Sequence, residues 1–184
     1  SKNIDCIVDS FSTLRLIQKY FVRTGKWPKL HLKLDCGTTR VGFLPSDWKK
    51  LHHVNVQQSI RVTGVFSHLA NAEAKETVVT KAQTTLFTMG QKLWPTAIAH
   101  LACSAAIVRY PETHANLVRP GFMLYGLWPS RSTPQWSEQH HPTVRLRPVV
   151  SCQPHLAAIK QVAPGSRGGL GMSLVPKNST WIGF

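Results

Sequence analysis

The pattern of apolar and polar residues predicts short strands that alternate with helices. Residues 4–9 form a short apolar run typical of a strand. Ser10 is placed to cap the helix that follows, in which apolar residues recur on one face until Gly25 ends it. A second strand, at 29–34, carries three leucines on one face and His31 and Lys33 on the other. The chain therefore begins with a strand, a helix and a strand.

The same alternation continues through the first two thirds of the chain. The further predicted elements are a helix capped by Ser46, a strand at 60–66, a helix at 72–93, a strand at 96–103, a short helix after Ser104 and a strand at 117–127. Such a series predicts parallel strands with right-handed crossovers, in an open doubly wound sheet or in part of a (β/α)8 barrel. No glycine-rich dinucleotide fingerprint follows any strand, which favours an α/β fold with a partial (β/α)8 TIM-type barrel over 1–128.

A different pattern begins near the end of the chain. Residues 129–142 are rich in Ser and Pro, and we interpret them as a linker. Alternating residues then predict strands at 144–153, 155–162 and 179–184. We expect 143–184 to be the start of an all-β domain.

The chain is strongly basic, with 22 Lys and Arg against 8 Asp and Glu and a net charge of +14 over 184 residues. The basic residues are spread along the chain without a zinc-finger, RNA-recognition or basic-zipper pattern, so we interpret the charge as a solvated surface. A specific nucleic-acid partner is not expected. The longest apolar run, 95–108, is interrupted by His100 and is too short to span a bilayer, so no membrane partner is expected either.

Cysteine and histidine spacing argues against a metal site. The four cysteines, Cys6, Cys36, Cys103 and Cys152, are far apart, which predicts free thiols in a cytoplasmic protein. The histidine doublets have no carboxylate at ligand spacing, so we expect no metal. The first residues contain neither an initiator methionine nor a leader, and we expect the chain to be a fragment.

The carboxyl ends of the predicted strands are where a barrel places its chemistry. Ser104 opens a helix with two small alanines after it, and Gly121 allows a close backbone approach from the next strand. Arg119 lies two residues before Gly121 and so on the same strand face. These features predict an anion site suited to a phosphate, against the alternative that Ser104 is only a helix cap.

Four ordered blocks of sequence resemble the alanine racemase family: HLKLDCGTTRVGF, GVFSHLANAE, CSAAIVRYPETHANLVRPGFMLYGL and VAPGSRGGLGMSLVPKNSTWIG. The resemblance implies a pyridoxal 5'-phosphate (PLP) enzyme that interconverts L- and D-alanine for cell-wall synthesis and works as a homodimer. It covers the second half of the barrel and the beginning of the β-domain.

The resemblance also implies roles for individual residues. Ser104, with the backbone N–H groups of Gly121 and Phe122, would bind the cofactor phosphate. Arg119 would face the pyridine nitrogen, to which an arginine can donate a hydrogen bond without giving up its proton. The implied roles of the other three residues are as follows: His68 would brace Arg119, Arg40 would approach the phenolic oxygen of the cofactor and the substrate carboxylate, and Lys33 would carry a carbamate that positions Arg40.

The chain departs from the family at its two catalytic bases. The Schiff-base lysine belongs to a strand upstream of the matched blocks, and the tyrosine position is occupied by Leu170, which has no ionisable group. Cys103 and Thr38 replace an asparagine and a methionine that are usual in the family. We therefore expect this chain to be inactive alone, with no catalytic residue of its own. The alternatives are a non-catalytic PLP-binding barrel protein and a basic polyanion-binding protein.

Overall fold

The computed structural model describes residues 4–149, 151, 155–166 and 175–183. The chain divides into two compact units, Ser1–Val149 and Val150–Phe184. None of the described helices is both long enough and apolar enough to cross a membrane.

The first unit contains five strands and five helices. In chain order they are β1 (Cys6–Val8), α1 (Phe11–Thr24), β2 (Leu30–Lys33), α2 (Pro45–Gln57), β3 (Val62–Phe66), α3 (Val78–Gln91), β4 (Ile98–Cys103), α4 (Ser104–Arg109), β5 (Leu117–Arg119) and α5 (Ser132–His140). Two short 3-10 helices lie at Pro111–Thr113 and Phe122–Tyr125.

The strands form one parallel sheet in the order β1-β2-β3-β4-β5. Each strand lies beside the next one in sequence, as in the wall of a (β/α)8 barrel, whereas a doubly wound sheet reverses its order at a switch point. The predicted partial barrel is therefore confirmed.

The hydrophobic core lies between one face of the sheet and the helices. It includes Leu30, Leu32 and Leu34 of the second strand region, which are all at most 1% exposed. Trp48 of α2 packs into the same core and donates its Nε1–H to the Phe43 carbonyl at 2.8 Å. The opposite face of the sheet, called the inner face below, carries polar side chains, and these build the site.

The observed ends of α1 agree with the sequence prediction, whereas the observed start of α2 does not. The predicted limits of α1 are confirmed, with Ser10 accepting the Thr13 N–H and Gly25 in the left-handed conformation. Helix α2 instead begins at Pro45 with Leu44 as its N-cap, because proline lacks an N–H and suits the first helical position. Ser46 is therefore not the cap.

Two other predicted elements are shorter in the structure. Helix α3 begins at Val78, and residues 72–75 form a turn and a bend. Strand β5 ends at Arg119, since Pro120 has no N–H for the sheet and the chain then turns into the 3-10 helix closed by Gly126. Gly121 therefore lies beyond the strand, and the strand-face argument that placed it beside Arg119 was wrong.

Residues 129–142, which we interpreted as a linker, contain helix α5 instead. The Ser132 hydroxyl donates to the Glu73 carbonyl at 3.3 Å, and Thr133 and Ser137 are buried. The side chain of His141 contacts the Val108 carbonyl at 3.1 Å. The buried residues of this helix are small and polar, and it has no apolar stripe. The sequence pattern therefore did not predict it.

The described residues of the second unit form two antiparallel strands, β6 (Ile159–Val162) and β7 (Thr180–Gly183). Both lie inside predicted strands. Residues 144–149 are described and form no strand, although the sequence predicted one there. The all-β domain that we expect from residue 143 onward stays a prediction.

Candidate functional site

The carboxyl ends of β2, β3 and β4 surround an open cavity of about 300 Å³. It is lined by Thr38, Arg40, His68, Leu69, Ala70, Glu73 and Cys103. Two of the residues singled out from the sequence, Arg40 and His68, therefore face one space. The cavity lies at the strand ends, where barrels carry out their chemistry.

The loop after β2 is held by a single buried carboxylate. Oδ1 of Asp35 accepts the backbone N–H groups of Gly37, Thr38 and Thr39 at 2.9, 3.0 and 3.2 Å. Three such bonds to one charged group fix the loop that presents the exposed Arg40 to the cavity.

Ser104 and the chain after β5 form a compact polar corner. The Ser104 Oγ accepts the Gly121 N–H at 2.8 Å and the Met123 N–H at 3.4 Å. A Cβ added to Gly121 would lie 3.7 Å from that oxygen, so the two segments are in contact there. The structure thus brings Ser104 and Gly121 together. It adds the Met123 N–H, which the sequence did not indicate, while Phe122 is largely exposed.

Arg119 is anchored through both terminal nitrogens of its guanidinium. Nη1 donates to Nδ1 of His100 at 2.6 Å and to the His100 carbonyl at 2.9 Å. Nη2 donates to the carbonyls of Ser67 and Leu101 at 2.7 and 3.3 Å. An arginine has five N–H groups, so within the described residues only the Nε–H of Arg119 lacks an acceptor. Burial lowers the pKa of Arg119, yet arginine starts so far above neutral pH that it stays charged.

His100 holds the position beside Arg119 that the sequence interpretation gave to His68. His68 is half-buried and makes no hydrogen bond to Arg119 among the described residues. Burial lowers the pKa of His68, and the nearby charges of Arg119, Arg40 and Lys33 lower it further. The sequence contained a signal for His100, a histidine in the middle of an apolar strand, but we read it only as a break in an apolar run.

Phe66 is a second residue that the sequence analysis missed. Its ring is stacked on His100, with centroids 4.9 Å apart and an interplanar angle of 4°. The Arg119 Cζ lies 5.3 Å from the centre of the same ring, and the Lys33 Nζ lies 5.9 Å from it. One aromatic side chain therefore contacts three candidate polar groups of the inner face.

Lys33 is buried, with 7% of its surface exposed. Burial lowers the pKa of Lys33, and the positive charge of Arg40 lowers it further, while Asp35 and Asp9 act weakly in the opposite direction. A lowered pKa increases the fraction of neutral amine, which is the nucleophilic form.

The tyrosine position of the resemblance, Leu170, lies outside the described residues, as do its neighbours Gly169 and Gly171. Elsewhere in the part of the chain that the structure describes, no cluster of three or more His, Cys, Asp or Glu could hold a metal ion.

Comparison with known proteins identifies the family. The model of the alanine racemase N-terminal domain matches residues 1–129, which is well over half of the chain. The chain belongs to the alanine racemase family. Alanine racemases are PLP enzymes, so this membership supports PLP as the cofactor.

Relatives named alanine racemase cover most of this chain. The protein from Methanococcus maripaludis is 32% identical over 98% of the chain and 48% of its own length. The structure of alanine racemase from Clostridium difficile 630 is 30% identical over 98% of the chain and 47% of its own length, with a TM-score of 0.71. The chain thus spans about half the length of the relatives it matches.

A third comparison concerns the fold alone. The alanine racemase from Bartonella henselae, solved with covalently bound pyridoxal phosphate, is 24% identical over 98% of the chain and 48% of its own length, with a TM-score of 0.66. The barrel architecture is therefore shared even at this identity.

The residues of the site fit a phosphorylated pyridine. The Ser104 Oγ accepts two backbone N–H groups, so its own O–H is left to donate to a phosphate at this corner. Arg119 has one N–H without an acceptor in the described structure, which suits a ring nitrogen. Arg119 ends β5 and Gly121 follows it by two residues, so the two groups lie on one stretch of chain.

Proposed function

We propose that this chain forms the phosphate- and ring-binding wall of a PLP-dependent alanine racemase, which interconverts L- and D-alanine in the cytoplasm as a homodimer. The observation that carries the proposal is the pairing of the Ser104 corner with the anchored Arg119 in a member of this family. The free thiols of Cys6, Cys36 and Cys103 support the cytoplasmic assignment.

Each residue has a defined task in this proposal. Ser104 and the N–H groups of Gly121 and Phe122 bind the phosphate, with the Met123 N–H as a further donor. Arg119 donates its Nε–H to the ring nitrogen and keeps its proton. When bound, PLP supplies an electron sink for the α-carbon, and an unprotonated ring is a weaker sink that favours simple proton removal and return.

Substrate binding is assigned to the loop after β2. Arg40 carries a fixed positive charge at the cavity, which suits the carboxylate of alanine. A carbamate on Lys33 would give Arg40 a negative partner and hold it in place. His68 lines the same cavity, where its lowered pKa keeps it neutral at physiological pH.

We propose that these 184 residues do not racemise alanine by themselves. The matched blocks lack the lysine to which the family attaches its cofactor, and Leu170 cannot act as an acid or base. A D/L-alanine exchange assay tests this directly, and robust racemisation by the chain would overturn the predicted inactivity.

Ligand titration tests the cofactor site without any activity. We expect Ser104→Ala to weaken PLP binding about tenfold or more, since it removes a hydrogen bond to a charged group, and to leave binding of unphosphorylated pyridoxal unchanged. Ser12→Ala, at an exposed position of α1, is the matched control and should change neither affinity. Equal losses for PLP and pyridoxal in Ser104→Ala would contradict the assignment of the phosphate corner.

A further inference from the structure

Four polar side chains form a continuous hydrogen-bonded series across the inner face. Oδ2 of Asp5 lies 3.1 Å from Nε2 of His31. Nδ1 of His31 lies 2.9 Å from Nε2 of His100, and Nδ1 of His100 lies 2.6 Å from Nη1 of Arg119. The series runs from the start of β1 through β2 and β4 to β5, where the candidate ring-binding arginine lies.

The two ends of this series, Asp5 and Arg119, determine which ring nitrogens of the two histidines carry a proton. Arg119 can only donate, so Nδ1 of His100 must accept, and a neutral His100 then carries its proton on Nε2. That proton is donated to Nδ1 of His31, which leaves the His31 proton on Nε2, facing Asp5. An ionised carboxylate can only accept. With both rings neutral, only one arrangement of protons satisfies all three contacts.

A doubly protonated His31 does not fit this series. It would turn a second N–H toward the Nε2–H of His100, so that two donors would face each other. The electrostatics of His100 agree with a neutral ring, because burial and the charge of Arg119 lower its pKa to about 4. Among the described residues, the charged or titratable groups in contact with the two rings are Asp5 and Arg119.

The strand between the two histidines has a glycine at the position where their rings come into contact. Strand β3 separates β2 from β4, and its residue opposite His31 is Gly64. A Cβ on Gly64 would overlap the His31 ring. Two positions further along, Phe66 stacks against His100 and limits its rotation. The absence of a side chain at residue 64 therefore opens the path from His31 to His100.

We infer that Asp5 and His31 are positioning residues that act through His100: they hold it in the tautomer that accepts from Arg119. This inference rests on the proposed function, because Arg119 matters through the cofactor ring. If His100 turned a proton toward Nη1, Arg119 would lose its shortest contact and shift from the orientation that points Nε–H toward the ring site.

Nitrogen-15 NMR of the histidine rings tests the inference on the full chain without cofactor. At pH 8 we expect His31 and His100 both to be neutral Nε2–H tautomers. Asp5→Asn should raise the Nδ1–H population of His31 and change the ring nitrogen shifts of His100, 69 residues away from its neighbour His31 in sequence. Glu76→Gln removes one exposed carboxylate elsewhere and should leave both rings unchanged.

Two results of the wild-type and Asp5→Asn spectra would overturn the inference. One is a wild-type chain in which either histidine is an Nδ1–H tautomer at pH 8. The other is an Asp5→Asn variant whose His100 shifts match the wild type. Gly64→Ala provides a second route, because it should separate the two rings while Asp5 remains, and unchanged His100 shifts in a folded Gly64→Ala protein would also contradict the inference.

A binding readout separates this inference from the proposed function. We expect Asp5→Asn to weaken pyridoxal and PLP alike, by about threefold to tenfold, since it disturbs a ring contact and not the phosphate corner. If the wild type binds neither ligand, the proposed function fails, whereas the tautomer result stands on its own. If both ligands bind and Asp5→Asn leaves both affinities unchanged, the positioning role is wrong.

Discussion

The guanidinium of Arg119 donates to Nδ1 of His100 at 2.6 Å, so a permanent cation lies against a buried imidazole. His100 is only 5% exposed, and burial, followed by the charge of Arg119, lowers its pKa from 6.5 to about 4. Protonation of this ring would place two cations in contact. The folded state therefore resists the proton that the unfolded chain accepts.

Stability should accordingly fall on acidification between pH 6.5 and about pH 4. In this window the unfolded chain binds more protons at His100 than the folded chain, so the free energy of unfolding rises with pH and is lost as pH falls. A shift of this size corresponds to up to about 3 kcal/mol. Urea denaturation at a series of pH values measures it.

A variant separates the His100 contribution from that of His68, whose lowered pKa acts in the same direction. His100→Gln should reduce the slope of stability against pH in this window, although its absolute stability will be lower. An unchanged slope in His100→Gln would assign the acid sensitivity to other groups.

The buried hydroxyls of Tyr110 and Thr113 differ in their partners. The Tyr110 side chain is 4% exposed, and its Oη has no hydrogen-bond partner in the described part of the chain. The Thr113 Oγ1 donates to the Tyr110 carbonyl at 2.7 Å. Removing an unpaired buried hydroxyl relieves a desolvation cost, whereas removing a paired one loses its hydrogen bond. The Tyr110 carbonyl would still accept the Thr113 N–H at 2.9 Å.

We therefore expect Tyr110→Phe to be neutral or to stabilise by up to about 1 kcal/mol, and Thr113→Val to destabilise by about 0.5–1.5 kcal/mol. Thermal and urea denaturation of the two variants side by side would measure both effects. A loss in Tyr110→Phe as large as that in Thr113→Val would show that the phenol has a partner.

The elements that the sequence predicted well are those set by local rules. Helix α1 has a serine cap and a glycine at its end, and the leucines of β2 alternate with polar residues, so each carries its own signal. The alternation of strands and helices predicted the parallel sheet, and the absence of a dinucleotide fingerprint favoured the barrel order that the structure has. Helix α5 carried no such signal, because small polar residues bury it against the rest of the unit.

The site was predictable where residues lie close to strand ends and not where they meet across the sheet. Ser104 and Gly121 were singled out from the sequence, and they share a hydrogen bond. The contact between His31 and His100 depends on strand register and on Gly64 between them, which no short motif records. The family resemblance implied His68 as the partner of Arg119, whereas the structure places His100 there.

Two glycines with positive φ provide a matched test of the loop that presents Arg40. Gly42 has φ +126°, and a Cβ there would lie 3.0 Å from the Lys33 carbonyl oxygen and from the Asp35 nitrogen. Gly25 has φ +66°, and a Cβ there would meet nothing within 4 Å. The first position is constrained by conformation and space, and the second by conformation alone.

Gly42→Ala should therefore destabilise the chain by about 2–4 kcal/mol, and Gly25→Ala by about 1 kcal/mol, which is the cost of a left-handed alanine. Denaturation curves give both values. Similar losses in the two variants would mean that the loop after β2 can relax around the added methyl group.

Lys33 provides the last prediction, because its environment suits carbamate formation. Lys33 is 7% exposed and its pKa is lowered first by burial and then by Arg40, so more of its amine is neutral than that of a surface lysine. A carbamate forms when the neutral amine attacks carbon dioxide and loses a proton, and the resulting anion would be attracted to Arg40. Carbon-13 NMR with labelled bicarbonate should show a carbamate signal in the wild type that is lost in Lys33→Ala and retained in Lys49→Ala, an exposed lysine of α2. Arg40→Ala should weaken the signal, since it removes the cation that stabilises the product, although it also raises the pKa of the lysine. A signal that survives Lys33→Ala would place the modification on another amine and leave Arg40 without its proposed partner.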